Sequence, residues 1–396
     1  MSKPLEGIKV LELGSLIAGP FASRLMAEFG AEVIKVEPPE KGDPIRNWRV
    51  LHEGTSLWWY VQSRNKKCIT LDLKSSEGQE LIRNIAKEVD IVVENFRPGT
   101  LEKWGIGYED LKELNPGIIF VRISGYGQDG PYHNKPGFGS IGEAMGGIRA
   151  LTGYPELPPT RVGISLGDSV AALYGVIGAL MALRHRDLNG EGQIVDVALY
   201  EAIFSLMESM VPEYDHSQLI RERTGSTLPG ITPSNIYLSK DGKYAVIGAN
   251  GDSIFKRLCE AMNRKDLSDD ERFQTNKGRS ERAEYLDGEI EKWTSQFELK
   301  DILMKLEDHG IPSGPIYNVA DMFKDQHFLY RKMIEEVDVE GYGKLKMPGI
   351  IPKLSITPGG TEWAGPALGQ HNNEVFKELL GLSESQIKKL KDNRKI

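Results

Sequence analysis

The sequence predicts an α/β protein: a parallel sheet covered by helices, followed along the chain by a smaller α/β domain. Three observations predict it. In the first third of the chain, short β-rich runs alternate with amphipathic segments, the pattern of strands joined by crossover helices. The chain has 396 residues, and single domains usually run to about 100–200. After Thr224 the texture changes to a hairpin and charged helices. The expected organisation is therefore a first domain over 1–224, a small domain over 225–330 and a tail over 331–396.

The elements follow in order. Residues 8–13 read as a strand and 14–19 as a loop; Pro20 suits the first helical position, where no N–H is needed, and 21–29 read as a helix. Gly30 suits the position after the helix end, and Glu32–Glu37 is the next strand. The pattern recurs as strand 69–73, helix 76–89, strand Ile91–Glu94, helix 108–114 and strand 118–123. Residues 126–165 turn to Gly, Pro and small residues, and a loop-rich stretch that long is usually functional. Asp168 then opens a long apolar helix reaching Arg184, read as a buried core helix; a strand at 193–198 and a helix at 201–210 follow. Residues 235–238 and 244–248 flank Lys240-Asp241-Gly242, a hairpin signal, with a helix at 254–262 beyond. The tail holds strand-like pieces, Pro358-Gly359-Gly360 and a final amphipathic helix.

Composition excludes several classes. The apolar share of 40%, the charged share of 27% and a mean hydropathy of −0.35 are those of a soluble globular protein. A net charge of −8 argues against a general nucleic-acid binder. Cys68 and Cys259 lie far apart with no CxxC partner, so disulfides and zinc are not expected and a reducing, cytoplasmic setting fits. The opening residues lack the apolar core of a signal peptide, and no run reaches the ~18 apolar residues of a membrane span. The histidines make no HxxxH or HxH pair, and no metal cluster is evident.

Four sites, one of them made of two segments, are candidates for chemistry. Leu11-Glu12-Leu13-Gly14-Ser15-Leu16-Ile17-Ala18-Gly19-Pro20 is a strand–Gly loop–helix unit that can seat a phosphate at a helix N-terminus. It is neither GxGxxG nor a P-loop, so a plain structural turn stands beside that reading. Leu71-Asp72-Leu73-Lys74 and Asn95-Phe96-Arg97-Pro98-Gly99 follow strands, and ligands of open α/β sheets bind beyond strand carboxyl ends. A flat ring beside cations and amides suits a purine with phosphates; ordinary surface charge with Phe96 in the core is the alternative. Asp168, in Gly167-Asp168-Ser169, reads as a helix N-cap or as a carboxylate nucleophile kept ionised by a helix N-terminus. Gly248, Ala249, Asn250 and Gly251, followed by Asp252, read as a mobile covering loop, as a helix N-cap, or both.

Taken together, these segments resemble the family III CoA-transferases over nearly the whole chain. The resemblance is carried by Leu13-Gly14-Ser15 through Pro20, Gly30-Ala31-Glu32-Val33-Ile34-Lys35-Val36-Glu37, Asn65-Lys66-Lys67, Asn95-Phe96-Arg97-Pro98-Gly99, Ser124-Gly125-Tyr126-Gly127 and Lys135-Pro136-Gly137-Phe138. Gly167-Asp168, Gly310-Ile311-Pro312-Ser313-Gly314-Pro315 and Leu368-Gly369-Gln370-His371 complete it. It implies a doubly wound, Rossmann-like large domain built from both chain ends, a small inserted domain and an interlocked homodimer. It implies coenzyme A transfer from an acyl-CoA to a carboxylic acid, with no tightly bound cofactor, through an anhydride and then a thioester on Asp168. The CoA contacts it implies are Ser15, Leu16, Leu71, Lys74, Asn95, Phe96, Arg97, Lys103 and Lys135, with Ile17 and residues 248–251 near the acid. Lys103 replaces a family arginine, keeping the charge without the bidentate fork. Ile17 stands where the formyl-CoA enzymes have a glutamine, so oxalate is not the expected acid; the run 212–233 with Arg221-Glu222-Arg223 resembles members that use succinyl-CoA and small dicarboxylates. The rivals are an α-methylacyl-CoA racemase, whose Gly-His-Asp is Gly137-Phe138-Gly139 here, a nicotinamide-dependent dehydrogenase, which the absent GxGxxG disfavours, and a CoA-binding regulatory or scaffold protein, which would bind CoA with no covalent adduct.

Overall fold

A computed structural model describes residues 3–396. The chain divides into two compact units: one comprises the chain up to Ile148 with Val162–Leu219 and Tyr330–Ile396, the other Arg149–Arg161 with Ile220–Leu329.

The first unit is doubly wound. Its strands are β1 (Lys9–Glu12), β2 (Glu32–Glu37), β3 (Lys66–Thr70), β4 (Ile91–Glu94), β5 (Ile119–Ser124) and β6 (Ile194–Ala198). They lie in the order 3-2-1-4-5-6 and every pairing is parallel. The strands read as continuous apolar runs because both faces are covered. Leu11, Ile34, Val92 and Phe120 face one core with the helix Ser76–Ala86 and the C-terminal residues Val375, Phe376 and Ile387. Val10, Val33, Val93 and Val121 face the other, with the helices Ala18–Glu28 and Leu166–Asn189.

Four expectations are corrected. β3 begins at Lys66, three residues early, because Lys66 is fully buried and ion-paired rather than a loop cation. Pro20 is the third helical residue of Ala18–Glu28, still within the first turn, where no N–H partner is lost. The helix expected over 201–210 is two helices, Leu199–Phe204 and Met210–Ser217, separated near Glu208, whose φ is 48°. The helix Leu166–Asn189 is not buried all round. Ala171, Ala172, Gly175, Ala179 and Ala182 lie against the sheet, and a Cβ on Gly178 would come 2.3 Å from Val195 Cγ1, so small residues set that close approach. Leu173, Ile177, Leu180 and Met181 on the same helix are 44–69% exposed.

The second unit holds an antiparallel sheet of β7 (Ser234–Leu238), β8 (Tyr244–Gly248) and β9 (Ser313–Pro315), ordered 9-8-7. Tyr237, Ala245 and Ile247 pack there with Phe255 and Leu258 of the helix Asp252–Ala261, Ile290 of Ala283–Thr294 and Leu306 of Leu299–Asp308.

Candidate active site

The order of the sheet reverses between β1 and β4, and at such a switch point the loops beyond the strand ends part to leave a crevice. Here those loops are bonded to each other. The Ser15 N–H donates to Asn95 Oδ1 at 2.8 Å and the Asn95 amide donates back to the Ser15 carbonyl at 2.8 Å. A Cβ on Gly14 would lie 2.9 Å from Asn95 Oδ1, so the interlock needs glycine there. Leu16 has φ 66°, a conformation costly for a branched side chain. Its N–H is held by both Asp43 oxygens at 3.1 Å, and Gln62 donates to the Ile17 carbonyl at 3.0 Å.

Beneath this loop lies a buried network of charges. Lys35 pairs with Glu12 at 2.7 Å and Asp43 at 2.8 Å, and Lys66 pairs with the other Glu12 oxygen at 2.7 Å. Lys35 also donates to the Gly14 carbonyl at 3.0 Å and Lys66 to that of Pro20 at 2.8 Å. Burial alone would raise the Glu12 carboxyl, but Lys35 and Lys66 hold it below its usual value. Burial lowers Lys66 to about 8, whereas Lys35 is raised because Asp43 and Glu12 outweigh burial. Arg46 closes the network, gripping Glu37 at 2.7 and 2.8 Å with its guanidinium carbon 3.5 Å from the Trp59 ring centroid.

On the β4 side, Phe96 is half-buried with its ring edge-on to Trp104 at 5.5 Å. Arg97, Lys74 and Lys103 are exposed and make no ion pair among the described residues. Glu94, the last residue of β4, accepts the Phe96 N–H at 2.7 Å, and burial pushes its carboxyl up to about 7 against the pull of Arg122.

Asp168 is not an N-cap. The helix opens at Leu166 with Ser165 as its cap, so Asp168 is the third helical residue, half-buried in the first turn. Its carboxylate rests on another helix start, that of Gly139–Met145: a Cβ on Gly139 would lie 2.2 Å from Asp168 Oδ2. A Cβ on Gly167 would lie 2.8 Å from the Gly139 carbonyl, so two bare backbones meet beside the carboxylate. Glu143, buried, accepts the Gly167 N–H at 3.3 Å and binds the two helix starts together.

The remaining residues divide. The Leu71 side chain is 1% exposed in the core and its N–H is bonded to the Glu37 carbonyl, leaving only its carbonyl for a ligand. Ile17 is 8% exposed. Lys135 is exposed, 3.5 Å from the Tyr132 ring centroid. In the second unit, residues 248–251 are bonded to their surroundings. Fully buried Arg279 donates to the Asn250 carbonyl at 2.5 Å and pairs with Asp252 at 2.7 Å, while the Ala249 N–H bonds to the Pro233 carbonyl. Gly251 is the cap of Asp252–Ala261, so neither Asp252 nor Ser253 serves as N-cap. Sequence reasoning passed over Asp43, Glu94, Arg122, Gly139 and Glu143. Only Gly139, two residues past Gly137 and itself the first residue of a helix, left a signal, a glycine-rich approach to a helix start.

Comparison with known proteins gives this geometry a family. The model of CoA-transferase family III matches residues 5–372. The succinyl-CoA–D-citramalate CoA-transferase of Chloroflexus aurantiacus is 53% identical over 395 residues, covering 100% of this chain and 98% of that protein. The succinyl-CoA–L-malate CoA-transferase alpha subunit of the same organism is 40% identical over 99% of this chain and 92% of its own. A CaiB/BaiF family protein of Brucella suis, known as a crystal structure, superposes with a TM-score of 0.85 at 35% identity, over 96% of this chain and 100% of that one. The chain belongs to CoA-transferase family III and is a CoA-transferase.

Proposed function

We propose that this enzyme moves coenzyme A from succinyl-CoA to a short dicarboxylic acid of the citramalate or malate type, with Asp168 as the covalent nucleophile. The observation that carries the substrate reading is the 53% identity, end to end, with a succinyl-CoA–D-citramalate CoA-transferase. The nucleophile reading rests on the half-exposed Asp168 carboxylate in a first helical turn, where the helix dipole favours its anion. Asp168 attacks the donor's acyl carbon and expels the CoA thiolate, leaving a mixed anhydride. The thiolate attacks the aspartyl carbonyl and expels the donor acid. The acceptor carboxylate then displaces the thiolate, forming a second anhydride, and the thiolate attacks the acceptor's acyl carbon to free Asp168. No proton is consumed, and the anhydride and thioester retain the energy of the original bond. Both intermediates hydrolyse, so water must be kept out.

The crevice at Ser15, Leu16, Asn95, Phe96 and Arg97, with exposed Lys74, Lys103 and Lys135, supplies the ring contact and cations a CoA nucleotide needs. The loop of residues 248–251 is the proposed cover. The enzyme acts as a homodimer in the cytoplasm. The exposed apolar row of Leu173, Ile177, Leu180 and Met181 is the surface a second copy would bury, and two buried free cysteines suit a reducing compartment. With Phe138, 70% exposed, next to Gly139, no titratable side chain stands at that position for the proton exchange of a racemase. The test is a substrate panel: succinyl-, acetyl- and formyl-CoA against D-citramalate, L-malate, glutarate and acetate, with products identified by mass spectrometry. The proposal expects turnover with succinyl-CoA and the hydroxylated dicarboxylates; preference for acetate or for formyl-CoA overturns it.

A further inference from the structure

Arg122 lies within β5 and is 5% exposed. A buried guanidinium is costly unless its donors are matched. Its Nε donates to Glu94 Oε1 at 2.7 Å, and its two terminal nitrogens donate to the two Glu102 oxygens at 2.6 and 3.3 Å. Glu94 spends its other oxygen on the Phe96 N–H at 2.7 Å. Glu102 lies on the short helix Thr100–Lys103, which begins after Gly99 at φ 78° and ends at Lys103. One guanidinium therefore ties together the segment bearing Asn95, Phe96 and Arg97 and the segment bearing Lys103. Its planar fork reaches both carboxylates at once, which an ammonium cannot do. It also neutralises acids that would otherwise repel a polyphosphate from this crevice.

From this geometry we infer that Arg122 is a positioning residue for the nucleotide end of coenzyme A, acting through Glu94 on the Phe96–Arg97 loop and through Glu102 on Lys103. The inference rests on the proposed CoA crevice. It predicts a defect that depends on the nucleotide, which a general loss of structure would not produce.

The test compares succinyl-CoA with succinyl-pantetheine, which carries the same acyl thioester without the nucleotide. Arg122→Met raises KM for succinyl-CoA by about tenfold to a hundredfold, kcat stays within about threefold, and kcat/KM for succinyl-pantetheine falls no more than about threefold. Arg122→Lys, with the charge but not the fork, falls between. Should Arg122→Met not fold, Glu94→Gln removes one arm and shows the same substrate dependence at smaller size. Equal losses on both substrates, or an unchanged KM for succinyl-CoA, overturn the inference. Arg97→Ala separates it from the reading beneath. If Arg97→Ala leaves KM for succinyl-CoA unchanged, the crevice itself is misassigned; if Arg97→Ala raises KM and Arg122→Met does not, the inference alone fails.

Discussion

The crevice at β1 and β4 and the seat of Asp168 position their groups by opposite means. At the crevice, buried charges do it: Glu12, Lys35, Lys66 and Asp43 hold a loop whose Leu16 is in a left-handed conformation, and Glu94 and Arg122 hold the facing loop. Around Asp168, missing side chains do it, since Gly139 and Gly167 let two backbones and a carboxylate meet. The difference suits the two tasks proposed for them. A polyanion with many contacts needs its cations and amides held in register, and ion pairs fix direction. A carboxylate that must bond first to carbon and then lose that bond needs room for the acyl group, which bare backbone on both sides leaves.

Substitutions at the two regions test this contrast, beginning with the greatest loss. Asp168→Ala should lower transfer by roughly 10⁴ or more while CoA still binds, checked by initial rates and calorimetric titration. Lys35→Met should leave Glu12 and Asp43 buried with only Lys66 nearby and destabilise the fold by about 3–5 kcal/mol, read from denaturant midpoints. A small loss would mean that charge does not hold this loop. Gly139→Ala drives a methyl into the Asp168 carboxylate and should cost about a hundredfold in kcat with KM for the acyl-CoA nearly unchanged. Arg97→Ala should cost about 1.5–3 kcal/mol of CoA binding, visible in KM and not in kcat. The smallest effect is one of pH. Folded Glu94 titrates near 7 rather than 4.5, so it takes up a proton as pH falls through about 7 and weakens its pairing with Arg122. KM for succinyl-CoA should rise about threefold below that pH and Glu94→Gln should flatten the profile. Because the folded state holds this proton more tightly than the unfolded chain, the same group makes stability fall as pH rises from 4.5 to 7.

The sheet was legible where strands are apolar runs bounded by turn residues, as with Glu32–Glu37 and Ile91–Glu94. It was misread at Lys66, since a charged residue looks solvent-facing until its partner is known, and Glu12 lies far back in the chain. Asp43, Glu94 and Arg122 were silent for the same reason: their roles come from contacts between segments that sequence alone does not pair. The apolar helix Leu166–Asn189 reads as buried all round because hydrophobicity does not tell a buried face from an exposed one. The loop at 248–251 reads from its glycines as a cover or a cap, while Arg279, which bonds to it, stands in the last turn of a later helix, Asn276–Ser280, that sequence alone does not pair with it.

The central claim is that the Asp168 carboxylate exchanges its oxygen with the acids it serves. Turnover with an acceptor acid labelled with oxygen-18 in its carboxylate tests it directly, because the acceptor's oxygen remains on the aspartate when the new acyl-CoA leaves. The account predicts that the peptide containing Asp168 gains oxygen-18 during turnover and that no other carboxylate does. Full turnover with an unlabelled Asp168 would contradict it.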